Sequence, residues 1–502
     1  MPKVTLFYTS DTHGYLFPND YTSTTVRPMG LLQATSHFSK DENTLIIDGG
    51  DTLQGSALAK YSLQHPASSI PQAKLMRQVG YDISVVGNHD FNYGYDVLSS
   101  FYQQLGRPCL CANVQDVSGG IPFVGSMVKK MGNGLTLGFV GIVTDFVNLW
   151  EKPEHLTNFV ITDAFEAAKK ALKELKDSCD VSICVYHGGY ECDLKTGKKL
   201  SESTENVGCR IAKELDFDLL LCAHQHMDVS GFSLQGTHTL QLPANASKYA
   251  KISIIKNGRF LQILSENLVS TANPQKSDFS QFQVLEDKVQ TWLEQPIGRL
   301  HAPVEVKSKL ESALSGSSVA DFFNHIQLSY SHADFSCTSL GNTPCGFAQE
   351  MTIRQIVSAY QFPNSLMVLE VTEEKLRQAL ERCAEYYTLV DGKPSISESF
   401  IKPKIEHYNY DYFAGFSYTF DISRPIGDRV VRLLYEGQPL GDATYTLCMN
   451  NYRASGTGGY EVYQRCKIVE VLSEDVQDLA IEYCRANQMI PAWDKADFEV
   501  VW

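Results

Sequence analysis

The chain has 502 residues, long enough for two or more cores, because a single core rarely grows beyond roughly 250–300 residues. Its 43% hydrophobic and 20% charged composition is that of a globular protein. A net charge of −15 excludes tight binding to polymeric DNA or RNA, which needs clustered Lys and Arg to displace counterions, but not a metal-assisted small anion.

In chain order, the first half alternates β-prone runs with helical stretches. The predicted strands are residues 4–10, 44–47, 83–86, 135–143, 181–186 and 217–222. Several are nearly continuous apolar runs of Val, Ile, Leu and Phe, the pattern of strands covered on both faces. The clearest helix is 163–177, with Ala164, Ala167, Ala168, Ala171, Leu172 and Leu175 on one face. Alternating strands and helices imply a layered α/β fold. From 237 to 264 short strands with turns, such as Lys256-Asn257-Gly258, predict antiparallel strands that close this domain. A polar, proline-bearing stretch at 270–275 precedes a helical pattern at 278–293, marked by Phe282, Leu285, Val289 and Leu293. We expect a first domain over 1–272, a linker and connecting helix over 273–297, and a smaller α/β domain over 298–502 with a hinge near Gly298. In that last domain a helix is predicted at 373–387 and strands at 367–371, 416–422, 430–435 and 445–449.

The amino terminus enters a strand at once, with no basic head and no apolar core of signal length. The expectation is a cytoplasmic chain without a secretion signal. No apolar stretch approaches the ~20 residues of a membrane span, so no membrane partner is expected. The 13 cysteines show no CxxC pair and are expected to be reduced, mostly buried thiols. A protein partner cannot be read from the chain.

Polar signatures follow the predicted strands: Asp11-Thr12-His13, Gly50-Asp51, Gly87-Asn88-His89-Asp90, then His187 and His224-Gln225-His226. Ligands of open α/β sheets gather at the carboxyl edge of the strands, so these loops are expected to converge. Asp11 and His13 can reach one ion, to which His226 returns. Asp51 has two oxygens and can bridge two ions, while Asn88, His187 and His224 complete the second. An oxygen and nitrogen donor set without thiolate suits Mn²⁺, Zn²⁺ or Fe²⁺. Two ions about 3.5–4 Å apart can hold both the attacking and the leaving oxygen of a phosphoryl transfer. Any one of these motifs alone is commonplace; their occurrence in order, each at a strand end, carries the inference.

That order resembles the calcineurin-like metallophosphoesterases. The longer forms Gly49–Ser56 and Gly87–Gly94 look specifically like the 5′-nucleotidase family within them. The resemblance implies an αββα sandwich for the first domain and a 5′-nucleotidase-type second domain. It also implies a hydrolase with two divalent ions, Mn²⁺ or Zn²⁺ with Fe²⁺ permitted, that takes a small nucleotide. His89 falls where the family places an imidazole near the leaving group. Many 5′-nucleotidases orient it with an Asp three residues later, but Asn92 stands there; Asp90 is the nearest carboxylate and, with His89, the expected catalytic pair.

Selectivity is expected from the second domain. Two segments, Tyr408–Gly415 and Asn450–Tyr460, are rich in aromatics and glycine, and two such rings can clamp a nucleobase at roughly 1–3 kcal/mol per stacking face. By resemblance Phe413 and Tyr452 are the stacking pair, with Asn364 and Asn450 as further substrate residues. The stretches Gly87–Gly94 and Asn450–Gly456, the segment Phe362–Leu366 and the helix end Glu381–Tyr387 look more like the 2′,3′-cyclic-nucleotide 2′-phosphodiesterase/3′-nucleotidase branch. The phosphate-holding arginine usual in 5′-nucleotidases is absent from Cys337–Asn342. The expected reaction is hydrolysis of 2′,3′-cyclic and 3′-nucleotides. A 5′-nucleotidase or nucleotide-sugar pyrophosphatase is the enzymatic alternative, and a catalytically silent nucleotide or metal binder the other.

Overall fold

The computed structural model describes all residues except 66–68, 201–202, 272–279, 362–363 and 403. Most of the expected linker and the Phe362-Pro363 pair lie outside the described residues. The chain divides into two compact units, Met1–Val289 and Gln290–Trp502.

In the first unit five strands carry the polar signatures: β1 (Lys3–Thr9), β2 (Thr44–Asp48), β3 (Ile83–Ser84), β4 (Val181–His187) and β5 (Leu219–Cys222). β1, β2 and β3 run parallel in a seven-stranded sheet. The hairpin Lys248–Asn257/Phe260–Val269 extends that sheet antiparallel to β1, and Gly258 supplies the positive φ of +57° its two-residue turn requires. β4 and β5 are parallel neighbours in a six-stranded sheet, beside Thr136–Val143 and Thr237–Gln241.

The alternation along β4 shows how the layers form. Val181, Ile183 and Val185 join Val4, Leu6 and Ile47 of the other sheet in one core. Cys184 and Tyr186 point the opposite way, against Ala168, Leu172 and Leu175 of α1 (Ala164–Leu175). Every residue of β4 is buried, which is why Val181–Tyr186 reads as a nearly continuous apolar run, broken only by Ser182. Helix α1 begins where Asp163 accepts the Glu166 amide, one residue inside the predicted start. The unit is the expected sandwich of two sheets with helices outside.

Helix α2 (Ser280–Leu293) spans the division between the units. The second unit is built on a mixed five-stranded sheet of β6 (Phe335–Ser339), β7 (Ser365–Thr372), β8 (Asp411–Ala414), β9 (Thr444–Asn450) and β10 (Lys467–Asp475), in the order β8-β6-β9-β7-β10. Helix α3 (Glu373–Ala384) is capped by Thr372 and stops three residues before its predicted end, because Tyr387 opens a hairpin strand. Gly298, near which the hinge is expected, lies in a strand, Pro296–Arg299, paired with Glu350–Thr352.

One expectation about cysteine is corrected. Cys192 and Cys209 form a disulfide, bringing together the loop after β4 and the helix Gly208–Glu214. The other eleven cysteines are free, eight of them buried. Among the described residues no helix is long and apolar enough to cross a membrane.

Candidate metal centre

The five strand ends converge as two trios. The ligand atoms of Asp11, His13 and His226 lie within 4.8 Å of one another, and so do those of Asp51, His187 and His224. Asp51 joins them: one carboxylate oxygen is 3.2 Å from His187 Nε2 and 4.0 Å from His13 Nε2. Asn88 Oδ1 completes the second trio, 3.1 Å from His187 Nε2 and 2.9 Å from His224 Nδ1. All seven residues expected as ligands are therefore in one place.

The backbone is bent to present them. Asp11, His13, Asp51, His224 and His226 all adopt positive φ, between 48° and 71°. Such conformations cost non-glycine residues roughly 1–3 kcal/mol each and persist where the surroundings over-determine them. Here the loops brace one another. The Asp11 amide donates to Gly50 O and the His13 amide to Asp51 O, while the His224 amide donates to Asp11 Oδ1. Glycine is obligatory at position 87, where a Cβ would stand 2.2 Å from Asp51 Oδ1.

The donor set fits two cations. Asp11 Oδ2 is fully buried with no hydrogen-bond partner, and the buried Asp51 Oδ2 has only the His187 ring at 3.2 Å, an expensive state for carboxylate oxygens unless a cation takes them. His13 Nε2 and His226 Nε2 face each other at 3.0 Å. The far nitrogens are engaged as metal-binding imidazoles require: His187 Nδ1 meets Gly49 O at 2.7 Å, His13 Nδ1 meets Gln54 O at 3.0 Å, and His224 Nε2 meets Glu205 Oε1 at 3.0 Å.

Electrostatics point the same way. Burial pushes the Asp11 carboxyl up to about 6, with His187 opposing and Asp51 adding. Burial lowers His13 to about 4, against the pull of Asp51. Burial would also lower His187, but the Asp51 carboxylate outweighs it and raises the ring to about 10. Asp51 itself, despite burial, is held well below the usual carboxylate range by His187, His89 and His13. Without a cation, Asp51 and His187 thus form an ion pair whose proton an incoming cation must displace.

The Asp90 carboxylate accepts four backbone amides, from Asp51, Thr52, Leu53 and Gly87, at 2.8–2.9 Å. Burial, then the Asp51 charge, raises its pKa, and these amides oppose the rise. Both oxygens are committed to holding the two glycine loops together, a bracing geometry in which neither is bonded to the His89 ring. His89 Nδ1 instead meets Asn92 Oδ1 at 2.8 Å.

Sequence reasoning missed Glu205 and Trp150. Glu205 lies in a polar stretch with no periodic pattern, and nothing in the chain couples it to His224. The Trp150 ring stacks on His224 with centroids 5.5 Å apart. We expect Glu205→Ala to weaken metal binding about 10–100-fold, read by titrating the metal-free protein. Unchanged affinity would show that Glu205 does not orient His224.

In the second unit the two aromatic segments are fastened together. The buried Arg453 guanidinium pairs with Asp411 at 2.8 Å, donates to Tyr408 O, and lies 4.2 Å from the Tyr460 ring centroid. Phe413 is fully buried, with its ring against Phe416 and Tyr418, so the expected open stacking face is absent. Asn450 is also buried: it caps a short helix through the Arg453 amide and donates to Tyr360 OH. Asn364 is half-buried beside the same Tyr360 hydroxyl. Tyr452, in that short helix, is half-buried.

Residues 5–228 match the calcineurin-like phosphoesterase family and residues 296–465 the 5′-nucleotidase C-terminal domain. A crystal structure from Staphylococcus aureus, of a protein provisionally named a 5′-nucleotidase and bound to alpha-ketoglutarate, superposes with a TM-score of 0.93 at 32% identity over 100% of both chains. The trifunctional nucleotide phosphoesterase protein YfkN of Bacillus subtilis is 23% identical over 96% of this chain, which spans only 38% of that relative's length. A 2′,3′-cyclic-nucleotide 2′-phosphodiesterase/3′-nucleotidase of Haemophilus influenzae is 22% identical over 89% of this chain and 79% of its own.

Proposed function

Because the chain belongs to the calcineurin-like metallophosphoesterases that carry a 5′-nucleotidase C-terminal domain, we propose that it opens 2′,3′-cyclic nucleotides and then releases phosphate from the resulting 3′-nucleotides. The observation that carries the hydrolytic reading is the pair of trios sharing Asp51, with two buried carboxylate oxygens left for cations. Asp11, His13 and His226 would hold one ion; Asn88, His187 and His224 the other; Asp51 both. When bound, two divalent ions neutralise the phosphoryl oxygens and activate water for in-line attack.

The chain's own groups do the rest. His89 lies beside ligand Asn88, its ring 5.6 Å from that of His13, and with Nδ1 engaged it offers Nε2 to the departing ribose oxygen. Tyr452 is the ring we assign to the nucleobase, in place of the buried Phe413. The cyclic and 3′-phosphate branch is supported by Asn92 at the orienting position and by the absence of an arginine in Cys337–Asn342. The 5′-monophosphate reading is supported by the Staphylococcus aureus relative, the one with 32% identity.

Phosphate release from 2′,3′-cyclic AMP, 3′-AMP, 5′-AMP and a UDP-sugar, with Mn²⁺ and then with a chelator, separates the readings. We expect cyclic and 3′ turnover, lost on chelation. Turnover of 5′-AMP without the cyclic substrate would move the assignment to the 5′-nucleotidases. The reading carries a cytoplasmic location with it, checked by fractionating cells at native expression. Recovery outside the cell would agree instead with the Cys192–Cys209 disulfide, since such bonds persist in oxidising compartments.

A further inference from the structure

The ring of His89 is held by a side chain that carries no charge, and that side chain is itself held by one that does. Asn92 Oδ1 is 2.8 Å from His89 Nδ1, and Asn92 Nδ2 donates to Glu151 Oε2 at 2.6 Å. Glu151 comes from a different loop, at the end of the short helix Val147–Trp150 that also carries the ring stacked on His224. The Glu151 side chain is only 4% exposed. Its second oxygen accepts the Lys152 amide and meets His155 Nδ1, both at 2.8 Å.

This arrangement has one consistent set of hydrogen positions. If the Asn92 amide flipped, its oxygen would face the Glu151 carboxylate, acceptor against acceptor. The carboxylate therefore fixes the amide, and the amide oxygen in turn requires a proton on His89 Nδ1. Nε2 is then the nitrogen that does the chemistry, and the ring cannot turn over without breaking both bonds.

We propose that Glu151 is the positioning carboxylate of His89, acting through the Asn92 amide and doing at one remove what a directly bonded aspartate does elsewhere in the family. The inference rests on the role assigned above to His89 at the leaving group. As the P–O bond breaks, its electron pair goes to the ribose oxygen, which takes a proton from His89 Nε2. The neutral ring that remains keeps its Nδ1 proton on Asn92 Oδ1. Glu151 sets the tautomer and the aim of the ring.

A charge swap tests this. Glu151→Gln keeps the shape but permits the Asn92 amide to flip. It should lower kcat for 3′-AMP about 10–100-fold, with KM within about threefold. It should leave 4-nitrophenyl phosphate nearly unaffected, because that phenolate departs without a proton. Asn92→Asp alone should also be slow, since it sets two carboxylates against each other. The double variant Asn92→Asp/Glu151→Gln should recover 3′-AMP turnover to within about threefold of the parent. The amide introduced at position 151 then donates to the carboxylate introduced at position 92, and that carboxylate accepts the Nδ1 proton directly. If the substrate panel selects 5′-AMP, that nucleotide replaces 3′-AMP.

Equal losses on both substrates in Glu151→Gln would mark a structural role and overturn the proposal. So would a double variant no better than either single one. His89→Ala distinguishes the two levels: unchanged 3′-AMP turnover in that variant would remove the role of His89, and this proposal with it.

Discussion

Asp51→Asn is expected to reduce phosphate release by ~10³-fold or more with little change in folding. One carboxylate oxygen, Oδ1, accepts the His89 amide at 2.8 Å, a bond that the asparagine oxygen can keep. The other, Oδ2, lies between the trios, 3.2 Å from His187 Nε2, and the substitution puts an NH₂ there that cannot bind a cation. Losing the shared ligand removes the charge neutralisation that paired ions supply, several kcal/mol of transition-state stabilisation. Each 1.36 kcal/mol is tenfold in rate. Metal content by elemental analysis should fall from two ions per chain to one or none. Circular dichroism should stay that of the parent, because NH₂ beside His187 Nε2 makes an acceptable donor–acceptor pair once that ring is neutral. Near-parental turnover with two bound ions would show that Asp51 does not bridge.

The clustering of the seven candidate ligand positions was legible in the chain because each lies at the end of a strand whose burial writes an apolar run into the sequence. Residues before such a run ends are fixed by packing; the polar residue after it is fixed by chemistry, and the contrast is visible without coordinates. What holds those residues was not legible. Glu205 reaches His224 across 19 positions and Glu151 reaches Asn92 across 59, and a hydrogen bond between side chains leaves no periodicity at either end. Phe413 and Asn450 are buried for the opposite reason. Phe413 lies in an aromatic segment beside Gly415 and Asn450 opens a polar, glycine-rich one, and the buried Arg453–Asp411 pair draws the two segments together. A buried ion pair thus made core of what composition marks as surface.

Asp90 supplies the second large expectation, and it separates a brace from a catalyst. Oδ1 accepts the Thr52 and Leu53 amides, and Oδ2 accepts those of Asp51 and Gly87. Asp90→Asn is nearly the same size but turns one oxygen into a donor, so two buried amides lose their acceptor and face an N–H instead. A buried donor left unpaired costs about 1–3 kcal/mol, and two together about 4 kcal/mol. For a unit of this size that corresponds to a fall of roughly 10 °C in the thermal transition of the first unit. Activity should fall as well, since the same amides hold the peptide that presents Asp51. The two losses should share a cause: raising the Mn²⁺ concentration should recover part of both, because a cation that binds the folded state stabilises it. Lost activity with an unchanged thermal transition would instead return Asp90 to the catalytic role that its place beside His89 suggests.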